Sequence, residues 1–201
     1  SARFLYTLFG RDSVPDILRV RDVAMYALII LGALSAIVAA LMMALQRDVK
    51  RLLGYSTVSH VGLMYMALGL GVSTTSRDAA VLALAALQLH ILNHALGKAM
   101  LFLSTGVLIK AAGSRDLDRL AGLGRIYRVA GLATVVGALQ LLGVPPLSGF
   151  FSKLYMYQAF LDAGLPILAA IVVISSAITV MGYGKLILMA VGGQKPAQIT
   201  S

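Results

Sequence analysis

Long apolar runs separated by short charged loops set the organisation of this chain. Five runs stand out, at 23–46, 52–72, 79–109, 129–161 and 165–191, and each meets or exceeds the roughly 20 residues that a helix needs to cross about 30 Å of hydrocarbon. Lipid offers the backbone no hydrogen-bond partners, so all are predicted to be helices, giving an all-α membrane protein of about five transmembrane helices. The run at 23–46 carries no charge, and its Gly32, Ala33, Ser35 and Ala36 offer a surface that a neighbouring helix can approach closely. Two runs are too long to be simple spans. A straight helix over 79–109 would measure about 46 Å, so it is expected to tilt, protrude or break. The run at 129–161 carries Gly143-Val-Pro-Pro-Leu-Ser-Gly149, where Pro145 and Pro146 remove two backbone donors and disfavour continuous helix. A discontinuous helix is expected, with Gly143, Pro145, Pro146 and Gly149 at the break. Such breaks at membrane depth are tolerated only against protein or a water-filled cavity, and in transporters they recur at ion sites.

Composition agrees with this pattern. Of 201 residues, 59% are hydrophobic and 12% charged, with a mean hydropathy of +0.89, values unlike those of a water-soluble globule. A net charge of +9 would suggest a polyanion partner in a soluble protein. Here the basic residues sit in short loops, so membrane topology accounts for them and no nucleic-acid partner is expected. Arg47, Lys50 and Arg51 mark one side, as do Lys110, Arg115, Arg119, Arg125, Arg128 and Lys195; Arg11, Arg19, Arg21 and Arg77 mark the other, offset by Asp12, Asp16, Asp22, Asp78 and Asp162. The positive-inside rule places the 47–51 and 110–128 loops and the tail at 192–201 in the cytoplasm, as in a multi-pass protein of a prokaryotic plasma membrane. The absence of Cys removes disulfides, thiolate metal sites, cysteine-held iron–sulfur clusters and cysteine nucleophiles, and no cofactor is expected. There are eight Asp and no Glu, and no carboxylate lies deep in an apolar run. Residues 2–10 read as the tail of a helix that begins elsewhere, in a fragment, a processed chain or a split gene. The expected division is therefore 1–22 as a helix end plus an extracytoplasmic loop, and 23–191 as one five-helix transmembrane unit.

The apolar runs nevertheless hold protonatable side chains. His90, His94 and Lys98 stand at i, i+4 and i+8 in the third run, on one helical face and about 6 Å apart in rise per step. His94 is at the midpoint of the run, away from the interfaces where long polar side chains snorkel. An ammonium one turn further on is costly in lipid, so Lys98 is expected to find buried partners or to gain and lose its proton. Imidazole exchanges protons near neutrality. The competing reading makes both histidines packing groups and gives Lys98 a hidden partner, but three ionisable groups on one face of one membrane helix argue for proton handling. Lys153 follows the double-proline break and is the only charge in 129–161. Freed carbonyls and water can stabilise a cation there in one state and not in another, which suits a gated proton site; the alternative is snorkelling towards the far interface. His60, in Tyr55-Ser-Thr-Val-Ser-His60, has hydroxyl neighbours able to hold water, and by itself reads equally as a structural hydrogen bond or a relay. Lys50, at a helix end beside Asp48, reads equally as a topology charge or a proton-uptake group, and Lys185 as an interfacial anchor.

Four stretches, Asp48-Val-Lys-Arg-Leu-Leu-Gly-Tyr-Ser-Thr-Val-Ser-His60-Val-Gly62, His90-Ile-Leu-Asn-His94-Ala-Leu-Gly-Lys98-Ala, Asp116-Leu-Asp-Arg-Leu-Ala-Gly-Leu-Gly124 and Gly143-Val-Pro-Pro-Leu-Ser-Gly-Phe-Phe-Ser-Lys153, carry a family resemblance. In order and spacing they resemble the antiporter-like membrane subunits shared by respiratory complex I, membrane-bound hydrogenases and Mrp-type sodium/proton antiporters. The resemblance implies a core of two inverted five-helix repeats, each with a broken helix and a proton half-channel, and this chain matches the second. It implies that Lys98 is the central-axis lysine, Lys153 the broken-helix lysine, His90 and His94 the connecting relay with His60 nearby, and Lys50 a motif lysine at the cytoplasmic end. The first repeat, with its glutamate–lysine pair, is absent, so the implied partners are a chain supplying that repeat, other membrane subunits, peripheral redox subunits and the lipid bilayer. The expected function is proton translocation, with sodium as an alternative ion, by a non-catalytic subunit of an NADH:quinone oxidoreductase or hydrogenase type of complex. Two other readings compete: a structural membrane module with a vestigial channel, and part of a secondary sodium/proton antiporter.

Overall fold

The computed structural model describes residues 15–74 and 76–192, with side chains from Asp22 onward. The expectations for residues 1–10 and for the tail around Lys195 lie outside the described residues. Helix α1 (Pro15–Leu45) leads to α2 (Val49–Ser73) and α3 (Arg77–Ala112). Two single-turn helices, α4 (Leu117–Leu120) and α5 (Leu123–Ile126), precede α6 (Arg128–Leu142), α7 (Ser148–Asp162) and α8 (Pro166–Val191). Every predicted apolar run is helical, and no strand occurs among the described residues. Helix α1 starts eight residues before its apolar run, because a proline with its fixed φ can open a helix that then continues through charged residues. Of the outcomes open to α3, breakage is not taken: it is one helix of 36 residues, about 54 Å long.

Three stretches, Asp22–Leu45, Arg77–Ala112 and Pro166–Val191, are long and apolar enough to cross a membrane, and the bent pair Leu117–Ile126 and Arg128–Leu142 adds a fourth if counted as one span. The remaining elements fall short for visible reasons. Hydroxyls, glycines and His60 dilute the hydropathy of α2, while α6 and α7 are only 15 residues each.

Helices α1 and α2 pack along their length, α3 lies beside α2, α6 and α7 both pack on α3, and α8 closes the bundle against α1, α6 and α7. Gly32 and Gly62 face one another across the α1–α2 contact, where a methyl on either would strike the other's backbone carbonyl. The small residues seen in the sequence thus bring these helices together, and Ser59 Oγ donates across the contact to the Ala36 carbonyl at 2.8 Å.

The interior is stratified. Met25, Leu63, Met66, Leu70, Met156 and Phe160 form one apolar cluster, and Met43, Leu52, Leu53, Leu101, Leu141 and Leu186 form another. Along α2 and α3 most buried polar residues fall between these clusters, Ser56, Ser59 and His60 on one and His90, Asn93 and Lys98 on the other, while Ser104 and Thr105 lie beside Leu101 and Leu108 in the second. Two greasy layers therefore enclose a polar one.

The 47–51 and 110–128 loops, predicted to share a side, lie at one end of the bundle. Asp48 and Asp116 cap α2 and α4, and their loops pair through Val49 N–H to the Arg115 carbonyl and Leu117 N–H to the Arg47 carbonyl, both 3.0 Å. The end of α8 joins them, as Arg125 Nε donates to the Val191 carbonyl at 2.6 Å and Gly122 N–H to the Met189 carbonyl at 3.0 Å.

Candidate functional site

The helix break follows from its local sequence. Gly143 adopts φ 79° and ψ 47°, a left-handed conformation that glycine takes without penalty. Its N–H bonds the Gln140 carbonyl and the Val144 N–H bonds the Leu139 carbonyl, both 3.2 Å. This is a Schellman ending, which satisfies two of the last four carbonyls of α6. The other two, Leu141 and Leu142, receive Lys153 Nζ at 3.0 and 2.9 Å. The cation thus sits on the negative end of the α6 dipole. Gly149 lets α7 close on α6, since a Cβ there would collide with the Gln140 carbonyl. Asn93 fastens both halves to α3: its Nδ2 donates to the Ser148 carbonyl and its Oδ1 accepts from Ser148 Oγ, both 2.8 Å, while Gln140 Nε2 donates to Ser148 Oγ at 2.8 Å.

The polar layer holds two adjacent sets of hydrogen-bonded side chains. Lys98, 7% exposed, donates to the Leu53 carbonyl at 2.7 Å and to Ser56 Oγ. The Tyr183 hydroxyl lies 3.1 Å from His60 Nε2. His60 Nδ1 is 3.0 Å from His90 Nε2, and His90 Nδ1 is 2.9 Å from Ser152 Oγ. Both imidazoles are 2% exposed. Four helices contribute: α2 supplies Ser56 and His60, α3 supplies His90 and Lys98, α7 supplies Ser152, and α8 supplies Tyr183.

This path differs from the ladder expected along one face of α3. Imidazoles four residues apart are separated by about 6 Å of helix rise, too far for a direct hydrogen bond. His90 instead bonds His60, across the interface on α2. His94 stays off the path: it is half-buried, its ring centroid is 5.0 Å from that of His60, and its buried Nδ1 has no partner among the described residues. Lys153 adjoins Ser152 in the chain but binds the carbonyls of the break. Lys50 is exposed, one turn before Leu53. Lys185 is half-buried at the shared end and donates to the Ala44 and Gln46 carbonyls, the latter at 3.3 Å.

Tyr183, Ser56 and Ser152 were not distinguished by sequence reasoning. Signals were present: a tyrosine between Gly182 and Gly184 in an aliphatic helix, and serines four residues before His60 and one before Lys153. None reveals a partner until the helices are packed. Among the described residues no cluster of metal-ligating side chains occurs.

Residues 7–179 match the profile of the family described as NADH:quinone oxidoreductase/Mrp antiporter, transmembrane. Formate hydrogenlyase subunit 3 of Escherichia coli (strain K12) is 34% identical over 174 residues, which is 79% of this chain and 28% of that protein. The chain thus spans less than a third of that relative's length. Among solved structures, a subunit of the membrane-bound sulfane sulfur reductase, an archaeal respiratory membrane complex, superposes with a TM-score of 0.81 at 28% identity, covering 100% of this chain and 38% of that one. A subunit of the Mrp complex from Dietzia sp. DQ12-45-1b gives 0.74 at 27% identity, covering 86% and 31%.

Proposed function

We propose that this chain, which belongs to the NADH:quinone oxidoreductase/Mrp antiporter transmembrane family, passes protons between Lys98 and the Lys153 break as the antiporter-like part of a larger energy-converting membrane complex. The observation that supports this most is the run of buried hydrogen-bond contacts from Tyr183 through His60 and His90 to Ser152, with Lys98 bonded to Ser56 one turn from His60 on α2. Hydroxyl and imidazole groups both donate and accept, so neighbours at hydrogen-bond distance can hand a proton along without moving far. His94 fits a side branch that water would join to His60, and Lys50 an uptake group at the cytoplasmic end. Lys153 fits a site whose charge is held when the α6 carbonyls are in place and released when the break rearranges.

Moving one charge against 100 mV requires about 2.3 kcal/mol. In this reading the driving step comes from peripheral redox subunits, as the similarity to subunits of formate hydrogenlyase and of a sulfane sulfur reductase favours. Helices beyond these 201 residues, including the other repeat of the family, complete the ion path, in the same or a partner polypeptide. The assembly lies in a prokaryotic plasma membrane with the 47–51 and 110–128 loops in the cytoplasm. The test is Lys153→Met in the assembled complex reconstituted into vesicles: coupled proton pumping is expected to vanish with assembly intact, and full pumping would overturn the reading. Similarity to the Mrp complex favours a second reading, exchange of a monovalent cation for protons; proton flux that depends on sodium would identify it.

A further inference from the structure

An apolar groove of about 520 Å³ runs along the outside of the bundle between α3 and α6. Met100, Leu103 and Val107 line one wall, Val129 and Ala133 the other, with Tyr127 and Arg128 where α6 begins. Leu103 and Val129, 75% and 85% exposed, form its rims, whereas Ser104 and Ala130 are buried in its floor. The two helices run antiparallel in a fixed register. Gly97 meets Leu141, Gly137 meets Leu101 and Thr134 bonds Ser104, and the same register carried one turn further places Lys110 at the level of Arg128.

Depth in the membrane gives the groove two chemistries. Counted from His94 at the middle of its apolar run, Met100 lies about 9 Å and Val107 about 20 Å along the axis. The groove therefore starts inside a hydrocarbon half-thickness of about 15 Å and ends at headgroup level. Lys110 and Arg128 stand at that end, both exposed, and neither pairs with a carboxylate among the described residues. The first turn of α6 holds no acidic residue and no side-chain cap, so its N–H groups add to the positive potential. Apolar walls thus lead up to unmatched cations.

We propose that this groove binds one anionic phospholipid, with an acyl chain between Leu103 and Val129 and its phosphate held by Arg128 and Lys110. Basic pockets between transmembrane helices at the basic-loop side are suited to such headgroups. A zwitterionic headgroup fits less well, because it brings its own cation to a site that offers no acid to receive it. A protein helix laid on this face would have to carry acidic residues at this one level to match the two cations. The site is independent of the proton path proposed above. Its walls are nevertheless the helix that carries Lys98 and the helix that leads into the break, so the lipid ties these two together at the end away from Lys153.

The test uses the complete complex in vesicles of phosphatidylcholine and phosphatidylglycerol. Each lipid in turn carries a photoreactive diazirine on its acyl chain at equal trace amounts, and adducts are located by peptide mass spectrometry. Phosphatidylglycerol should label residues 100–107 and 129–133 about thirtyfold more than phosphatidylcholine, the preference expected of two basic groups near an anionic headgroup. Arg128→Gln and Lys110→Gln should each lower that preference about fivefold, and Arg128→Lys should keep most of it. Arg119→Gln removes an exposed charge outside the groove at the same end and should change nothing. Equal labelling by the two probes would reduce the groove to ordinary lipid contact and overturn the proposal. So would an equal loss on Arg119→Gln, which would mean general surface charge. Absence of label at these residues while other parts of the complex are labelled would show a protein segment covering the groove, and would also overturn it. Should the variants fail to assemble, the comparison of the two probes on the wild-type complex still decides.

Discussion

The two buried lysines are held in opposite ways. Lys98 draws on an intact helix, where the Leu53 carbonyl it uses also accepts from the hydroxyls of Ser56 at 2.8 Å and Thr57 at 3.0 Å. Lys153 draws on a broken one, where the Leu141 and Leu142 carbonyls follow a Schellman ending that has already served their neighbours. A continuous helix has almost no acceptor capacity to spare, so a cation beside it shares a crowded oxygen. A helix end leaves carbonyls unpaired, and the cation there completes the structure. The difference teaches that Lys153 is built into the helix break, while Lys98 adds to an acceptor that its neighbours already serve.

That contrast can be broken at several points. The largest effect is expected from Lys153→Met, which strands two carbonyls; at about 1–3 kcal/mol for each buried group left unpaired, thermal unfolding of the assembled complex should fall markedly and proteolysis at 143–147 should accelerate. An unchanged melting curve would mean that water replaces the lysine and that the contrast is false. Gly149→Ala comes next. Its methyl would meet the Gln140 carbonyl, prising α7 from α6 at a cost of about 1–3 kcal/mol and removing Lys153 from its carbonyls, so a stability loss should accompany loss of flux. Lys98→Met should stop flux as completely, yet cost only about 0.5–1.5 kcal/mol, the net worth of an ordinary hydrogen bond, because Leu53 keeps its other donors. Equal destabilisation by the two lysine substitutions would remove the distinction. The smallest effect is expected from His94→Phe: its Nδ1 has no hydrogen-bond partner among the described residues, so the melting temperature should hold or rise and flux should fall partially, whereas His60→Phe should block it. A block at His94 would put it on the main path.

The helices were legible because the bilayer enforces a simple code: uninterrupted apolar length means helix, and a Gly-Val-Pro-Pro-Leu-Ser-Gly insert means a break. The starts of α2 and α3 follow from caps written locally, Asp48 accepting from Arg51 N–H and Ser76 from Ala79 N–H. At the site, the i, i+4, i+8 spacing correctly put His90, His94 and Lys98 on one helix, and equally correctly implied neighbours. It could not say that His90 meets His60 of α2, which in turn meets Tyr183 of α8, because a helix repeat specifies direction but not what stands opposite. Tyr183 lies 123 residues from His60, and no local rule links them.

By itself, then, the sequence determined an all-α membrane protein, the position of its break, the shared end of its basic loops and the identity of its ionisable side chains, since each depends on interactions within a few residues or on the uniform demand of lipid. Only the tertiary structure decided which of those side chains touch. Hydrogen bonds act over about 3 Å, so whether Tyr183, His60, His90 and Ser152 meet depends on how closely four helices pack. That approach is set by contacts such as Gly32 against Gly62 and Gly149 against Gln140, which come from distant parts of the chain.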